Sequence, residues 1–341
     1  MQNHNSKFKT FSFLLVFLTF AFYLLNSQRS VLAQQISLSL SPPLVEVIVK
    51  PGKSLLIAYN LENYGDPATL TSFVLPFEPR GEKGQIRLKE QFEGPIRFSL
   101  ENSQLKLNEP FFLKSREKTQ ILLKIRIPEG TPEGDYYYSL LVESKAAQGF
   151  DGTSGGLAKA TIGSNILLTV TANGETNVKG AISEFTVLPH YQFNWFGHKI
   201  PLFDSSDLVP VRLTITNSGT NLIKPQGTIS VKGPLGAKSS YTIIPQNILA
   251  DSKRIMLATP SANINCDDKN QKLCQQTSTI VLSGFNLGKY KLSSTVNFGE
   301  QTPTIYGNTY FYSFPIKYTM GIAFTLVVGF IVIRKFKRDQ S

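Results

Sequence analysis

The sequence predicts an all-β protein: two tandem immunoglobulin-like β-sandwiches followed by one C-terminal transmembrane α-helix. Three observations predict it. Apolar and polar residues alternate with period two through the centre of the chain, the pattern of strands that bury one face and wet the other. Turn-forming clusters punctuate those runs at short intervals. Two apolar segments, Phe11 to Leu25 and Tyr318 to Ile333, bracket the body.

The first segment has the three parts of a secretory signal, expected over residues 1–33. Lys7 and Lys9 give a basic start, no acidic residue precedes Gln34, and Val31-Leu32-Ala33 suits cleavage before Gln34. An uncleaved N-terminal anchor is the alternative reading. No cysteine lies near the cleavage position, which argues against a lipid-modified N-terminus.

About 280 residues follow, a length that suits two domains. We expect domain 1 over 34–175 and domain 2 over 180–312, divided at the polar, glycine-rich Asn173 to Gly180. In domain 1, Leu55, Ile57, Tyr59 and Leu61 share one face, as do Ile121, Leu123, Ile125 and Ile127. In domain 2 the matching runs are Val211, Leu213 and Ile215, and Tyr290, Leu292, Ser294, Val296 and Phe298. Pro51-Gly52, Asn63-Tyr64-Gly65-Asp66-Pro67, Pro132-Glu133-Gly134, Asn217-Ser218-Gly219 and Lys232-Gly233-Pro234 read as turns.

A weak internal repeat links the halves. A strand runs into Asn-x-Gly at Asn63 to Gly65 and again at Asn217 to Gly219, and Gly-x-Tyr opens a later strand at Gly134 and at Gly288. Tyr136 and Tyr290 then either bond back to the preceding loop, as a tyrosine corner does, or are buried strand-start tyrosines.

The membrane helix is expected over 314–333, since about 20 residues cross the hydrocarbon. Lys317 would snorkel, and Tyr310, Phe311, Tyr312 and Tyr318 would sit at the outer interface. The tail, 334–341, opens Arg334-Lys335-Phe336-Lys337-Arg338 and should stay in the cytoplasm. The expected address is therefore the plasma membrane, single-pass type I, with an extracellular body. Of the net charge of +11, the signal and the tail carry +3 each, leaving +5 with no basic block on the exported part. Nucleic acid is not an indicated partner.

Cys266 and Cys274, the only cysteines, are read as a disulfide closing a short loop in an exported protein. A zinc site needs about four ligands, and Asp267 and Asp268 are poor company for one. No cofactor or metal is expected. His190 and His198 have no paired ligands, and Pro51-Gly52-Lys53-Ser54 lacks the first glycine of a P-loop because Val47 stands there. No Ser/His/Asp or Cys/His set has local support, so a non-catalytic role is expected. The aromatic stretch Tyr191, Phe193, Trp195 and Phe196 is the candidate binding surface; interdomain packing is the reading we favour for it. Asn-x-Ser/Thr is absent, which points away from a eukaryotic secretory glycoprotein. Leu-Pro-x-Thr-Gly is absent too, so covalent wall sorting is not indicated.

The order Ser41-Pro42-Pro43, Val49-Lys50-Pro51-Gly52-Lys53-Ser54, Asn60-Leu61-Glu62-Asn63-Tyr64-Gly65, Ile127-Pro128, Gly134-Asp135-Tyr136 and Ile162-Gly163 resembles the first domain of the WxL-interacting surface proteins of Gram-positive bacteria. That resemblance implies a bacterial surface protein that binds or scaffolds envelope components, either peptidoglycan and wall polymer or another surface protein. It transfers no individual binding residue. The competing expectation, from the two-sandwich architecture, is a membrane-tethered chaperone-like module for exported subunits.

Overall fold

The structure is a computed structural model that describes residues 35–145, 159–189, 191–195, 198–260, 278–299 and 302–339. The expected signal, the Cys266/Cys274 segment, residues 146–158, His190 and Phe196 lie outside the described residues. The fold is all-β, two tandem immunoglobulin-like domains with one C-terminal apolar helix.

Domain 1 holds β1 (Leu38–Ser41), β2 (Leu44–Val49), β3 (Ser54–Asn63), β4 (Ala68–Arg80), β5 (Gln85–Leu88), β6 (Arg97–Leu100), β7 (Pro110–Leu113), β8 (Lys118–Arg126), β9 (Gly134–Ser144) and β10 (Thr161–Val170). One sheet has the order β1-β3-β8-β6 and the other β2-β10-β9-β4-β5, with β7 also on β4. The first strand switches sheets at Pro42-Pro43. Before it, β1 runs antiparallel to β3; after it, β2 runs parallel to β10.

Domain 2 holds β11 (Gly180–Val187), β12 (Tyr191–Trp195), β13 (His198–Asp204), β14 (Val209–Asn217), β15 (Gln226–Lys232), β16 (Lys238–Ile244), β17 (Ser252–Ile255), β18 (Leu257–Thr259), β19 (Ile280–Leu282), β20 (Gly288–Asn297) and β21 (Ile305–Phe314). Its sheets are β11-β14-β17, with β19 also on β14, and β12-β13-β21-β20-β15-β16-β18. The same switch recurs: β11 is antiparallel to β14, and β13 is parallel to β21. The internal repeat seen in the sequence is therefore a repeat of architecture.

Period-two alternation works as expected. Tyr59, Leu61, Ile121, Leu123, Ile125 and Ile127 meet in the core of domain 1, and Val211, Leu213, Ile215, Leu292 and Val296 in that of domain 2. The two Asn-x-Gly signals mark the same device. Asn63 ends β3 fully buried; its amide donates to the carbonyls of Asp66, Leu113 and Lys114, and its Oδ1 accepts the Gly65 N–H. Asn217 ends β14 and does the same with Asn221, Ile248 and Leu249, and with the Gly219 N–H. Each pegs a loop that has no ladder of its own. The glycine is required by close approach: a Cβ at Gly65 would lie 2.1 Å from the Gln35 carbonyl oxygen, and one at Gly219 2.3 Å from that of Asn177.

The Gly-x-Tyr pair divides. Tyr136 takes the corner role, its hydroxyl donating to the Pro132 carbonyl at 2.9 Å. Tyr290 instead stacks on Phe311 at 4.9 Å.

The helix α1 (Ile316–Asp339) follows β21 through Pro315 alone. Its stretch Ile316–Phe336 is long and apolar enough to cross a membrane and is unburied by the rest of the chain. Two expectations are corrected here. Phe314 belongs to β21, not to the helix, because its carbonyl accepts the Ser205 N–H at 3.1 Å; Pro315, with its fixed φ and missing donor, suits the start of a helix. Phe311 is fully buried in the core of domain 2 and is not an interfacial residue. The helix also runs on through the basic cluster to Asp339.

An acidic clasp fixes the junction. Asp204, 5 % exposed, accepts the Lys317 backbone N–H at 2.9 Å on Oδ2 and the Ser206 hydroxyl and N–H on Oδ1. The Lys317 ammonium reaches Asp207 at 2.6 Å and Asp204 at 3.7 Å. Burial alone would raise the Asp204 carboxyl, but these donors and the ammonium outweigh it and hold it at about 2, against 3.8 ordinarily. A depressed carboxyl stabilises the fold above its unfolded value and ceases to do so as pH falls through its folded value. The clasp should thus be intact above about pH 4 and open as pH falls through about 2. Hydrogen exchange at the Lys317 amide of the detergent-solubilised chain should accelerate over that window, and Asp204→Ala should remove the protection at neutral pH.

Candidate binding surface

A cleft between the domains is built on the outer face of the β2-β10-β9-β4-β5 sheet. Alternation along β4, β9 and β10 turns Phe77, Tyr137 and Leu167 outward, and there they pack with Leu222 and Leu249 of domain 2. This apolar contact is small, so polar contacts carry much of the joint. Asp135 is its hub. Its carboxylate accepts Thr169 Oγ1 at 2.7 Å and the Tyr137 hydroxyl at 2.8 Å from its own domain. From domain 2 it accepts the Asn221 amide at 2.9 Å and the Leu222 N–H at 2.5 Å. The Tyr137 oxygen in turn accepts the Ala250 N–H at 2.9 Å. Burial first, then the Asp135 charge, pushes the Tyr137 hydroxyl well above its ordinary value, so it stays a neutral donor across physiological pH.

The β4–β5 hairpin makes the second tie. The Glu82 carbonyl accepts the Ile255 N–H at 2.8 Å and its carboxylate pairs with Lys253 at 2.5 Å. The Arg254 guanidinium lies flat against Gly84, where an added Cβ would come within 2.3 Å of its central carbon. Gly84 also sits at φ +74°, so glycine is needed twice over. Between the ties lies a cavity of about 140 Å³ whose lining includes Leu44, Ile86, Asn247 and Arg254.

The third tie comes from β2. Glu46 pairs with Lys224 at 3.0 Å and accepts from the Asn247 amide. Burial would raise the Glu46 carboxyl, but Asn247 and Lys224 together hold it below its ordinary value. Of the residues facing the same way, Leu44 is 43 % exposed and Ile48 61 %; Val45, Val47 and Val49 pack against the core of domain 1.

β2 ends its sheet, and no described strand lies beyond it. The Pro43 carbonyl accepts the Asn165 N–H and the Val49 carbonyl the Thr171 N–H, so odd-numbered residues serve the β10 ladder. By the two-residue period, the N–H and C=O groups of Leu44, Glu46 and Ile48 point out of the open edge. Such an edge is a template for another strand. Several other edges are blunter: β1 and β7 are four residues long, β5 and β6 carry Arg87 and Arg97, and β11 is interrupted by a bulge between Ile182 and Glu184. Among the described edge strands, β2 alone offers six unbulged residues with a single charge and no proline.

The sequence-predicted aromatic surface lies elsewhere. Tyr191, Phe193 and Trp195 fall on β12, the edge strand of the larger sheet of domain 2, with Trp195 opposite His198. The described interdomain contacts come from other segments. Among the described residues no group of three or more His, Cys, Asp or Glu is placed to hold a metal.

No family model matches the chain, and no curated protein matches it. Solved structures similar to it include fimbrial chaperones. One is the class 5 fimbriae chaperone CfaA, at 11% identity and a TM-score of 0.37, covering 80% of this chain and 99% of that one. Another comes from a chaperone–tip adhesin complex of CFA/I fimbriae, at 11% identity and TM-score 0.38, covering 80% and 98%. A third belongs to the Salmonella enterica complex of the SafA pilin with the SafB chaperone, at 10% identity and TM-score 0.35, covering 81% and 97%. These neighbours overturn the resemblance to WxL-interacting surface proteins. Two of the motifs that suggested it recur in both domains as parts of the sandwich itself: Asn-x-Gly is the same peg in each, and Gly-x-Tyr makes a corner in domain 1 and a stacked core ring in domain 2.

Proposed function

We propose that this chain is a membrane-held, chaperone-like binding module that takes an extended segment of another exported protein along the open edge of β2. The observation that supports it is that edge: outward N–H and C=O groups at Leu44, Glu46 and Ile48, beside exposed apolar side chains and over the cleft. Strand addition gives main-chain hydrogen bonds for affinity and alternate side-chain pockets for selectivity. The ties at Asp135, Glu82 and Glu46 favour a preset angle between the sandwiches, which lowers the ordering cost of binding. The helix α1 would hold the module at the outer face of a membrane, with the Arg334-Lys335 end inside, and raise its effective concentration toward neighbouring exported chains. The complexes of similar structures with a tip adhesin and a pilin belong to those proteins; for this chain an exported subunit is the partner class proposed.

Ile48→Pro tests the reading. It removes an outward N–H and leaves the β10 ladder, which uses Val47 and Val49, untouched. With a photocrosslinking residue at position 44 of the full chain in living cells, adducts to exported proteins should fall at least tenfold in the Ile48→Pro variant while its melting temperature holds. Undiminished adducts would refute strand addition at this edge.

A further inference from the structure

We propose that the loop between β19 and β20, Ser283 to Leu287, is a second and shallower membrane contact, with Phe285 and Leu287 seated in the headgroup-side acyl region of the bilayer that α1 crosses. The inference rests on the membrane reading of α1 given above and goes beyond it.

The loop inverts the usual pattern. Its polar residue Asn286 is buried, while Phe285 and Leu287 on either side are 64 % and 49 % exposed. This is a held geometry. The Asn286 N–H donates to the Ser205 carbonyl at 2.9 Å, its carbonyl accepts the Ser313 hydroxyl at 3.0 Å, and its side-chain amide reaches the Gly284 carbonyl at 3.3 Å. Two apolar side chains are thus thrust outward from a pinned backbone. Exposed large apolar groups on a rigid loop mark an interaction site.

Position identifies the occupant as lipid. Ser205, which accepts from Asn286, donates its own N–H to Phe314, the last residue before Pro315 and α1. Ser313, which donates to Asn286, is the residue before that. The loop therefore belongs to the strand–helix junction, and no linker separates this end of domain 2 from the apolar helix. The loop carries no charge of its own, and the nearby Asp204 and Asp207 are paired with Lys317. An apolar, uncharged tip beside a membrane-spanning segment fits the interface as amphipathic anchors do.

The chain has one tryptophan, Trp195, so a Trp195→Phe background allows a single reporter. The full chain carrying Phe285→Trp should be reconstituted into phosphatidylcholine–phosphatidylglycerol vesicles, some with acyl chains brominated near the headgroup and some deep. Emission from position 285 should be blue-shifted and quenched several-fold more by the shallow bromines. A Phe112→Trp control, exposed on domain 1, should not be quenched. Co-flotation of the chain with vesicles but no quenching at 285 would overturn the loop contact and leave the anchor standing. A blue shift that tracks protein density instead of bromine would assign the loop to contact between copies and overturn it likewise. Failure to float would overturn both.

Discussion

Asp135→Ala should split one cooperative unfolding transition into two while leaving both sandwiches folded. The carboxylate accepts two hydrogen bonds from each domain. Each buried donor left unpaired costs roughly 1–3 kcal/mol, and bonds to an ionised acceptor lie toward the upper end. Partial access of water lowers the sum, so we expect about 3 kcal/mol of lost coupling. The remaining ties cannot replace it. Glu46–Lys224 and Glu82–Lys253 are part-exposed ion pairs, each worth about 0–1 kcal/mol, and the apolar contact buries only Phe77, Leu167 and Leu249 thoroughly. Calorimetry of the full chain in detergent checks this, with limited proteolysis of the 171–179 connection as a second readout. A single transition at the wild-type temperature would show that coupling lies in the hairpin instead. A double-mutant cycle with Glu82→Ala apportions the two.

The fold was legible because its strands are amphipathic. Ile121, Leu123, Ile125 and Ile127 alternate with Gln120, Lys124 and Arg126 and form a buried face, so one period settles strand and orientation together. Asn63 and Asn217 were visible as turn signals, but not as pegs: their carbonyl partners at Leu113 and Ile248 lie 50 and 31 residues away. The candidate surface was less legible. In Leu44 to Val49 only Glu46 interrupts an apolar run, so nothing in the sequence separates the inward valines from the outward Leu44 and Ile48. Asp135 stood in a noticed motif, Gly134-Asp135-Tyr136, yet its role depends on a loop 86 residues later. The aromatic cluster at Tyr191 to Phe196 drew attention by composition alone, whereas the described cleft is set by register and sheet order. Tyr310, Phe311 and Tyr312 were read together as interfacial, but a strand alternates where a helix end would not, and Phe311 went inward. Phe285 and Leu287 escaped notice because two apolar residues in a loop are unremarkable until their backbone is known to be pinned.

Asn217→Ala should cost domain 2 about 3 kcal/mol and loosen the joint to domain 1 as well. The side chain is buried and saturated: its amide donates to the carbonyls of Asn221 at 2.8 Å and of Ile248 and Leu249 at 3.1 Å, and its oxygen holds the Gly219 N–H at 2.9 Å. Truncation strands those groups where water enters poorly. Because Asn221 is also the residue that reaches Asp135, a shift of its loop should reach the hub. The equivalent Asn63→Ala should destabilise domain 1 by a similar amount, since Asn63 makes the same set of bonds, but leave the joint intact because its loop does not contact domain 2 through Asp135. Denaturant melts separate the two: Asn217→Ala should lower coupling energy in a cycle with Asp135→Ala, and Asn63→Ala should add to it independently. Asn217→Asp sharpens the argument through sign. It sets a carboxylate against three carbonyl oxygens, so the folded state disfavours the charge and raises the carboxyl above its unfolded value of about 3.9. The added penalty is then present at neutral pH and relieved as pH falls through the raised value, because the protonated acid regains one donor. Asn217→Asp should therefore be less stable than Asn217→Ala at pH 7 and approach it in mild acid; the opposite order would mean that the site is wet and the peg is not what holds the loop.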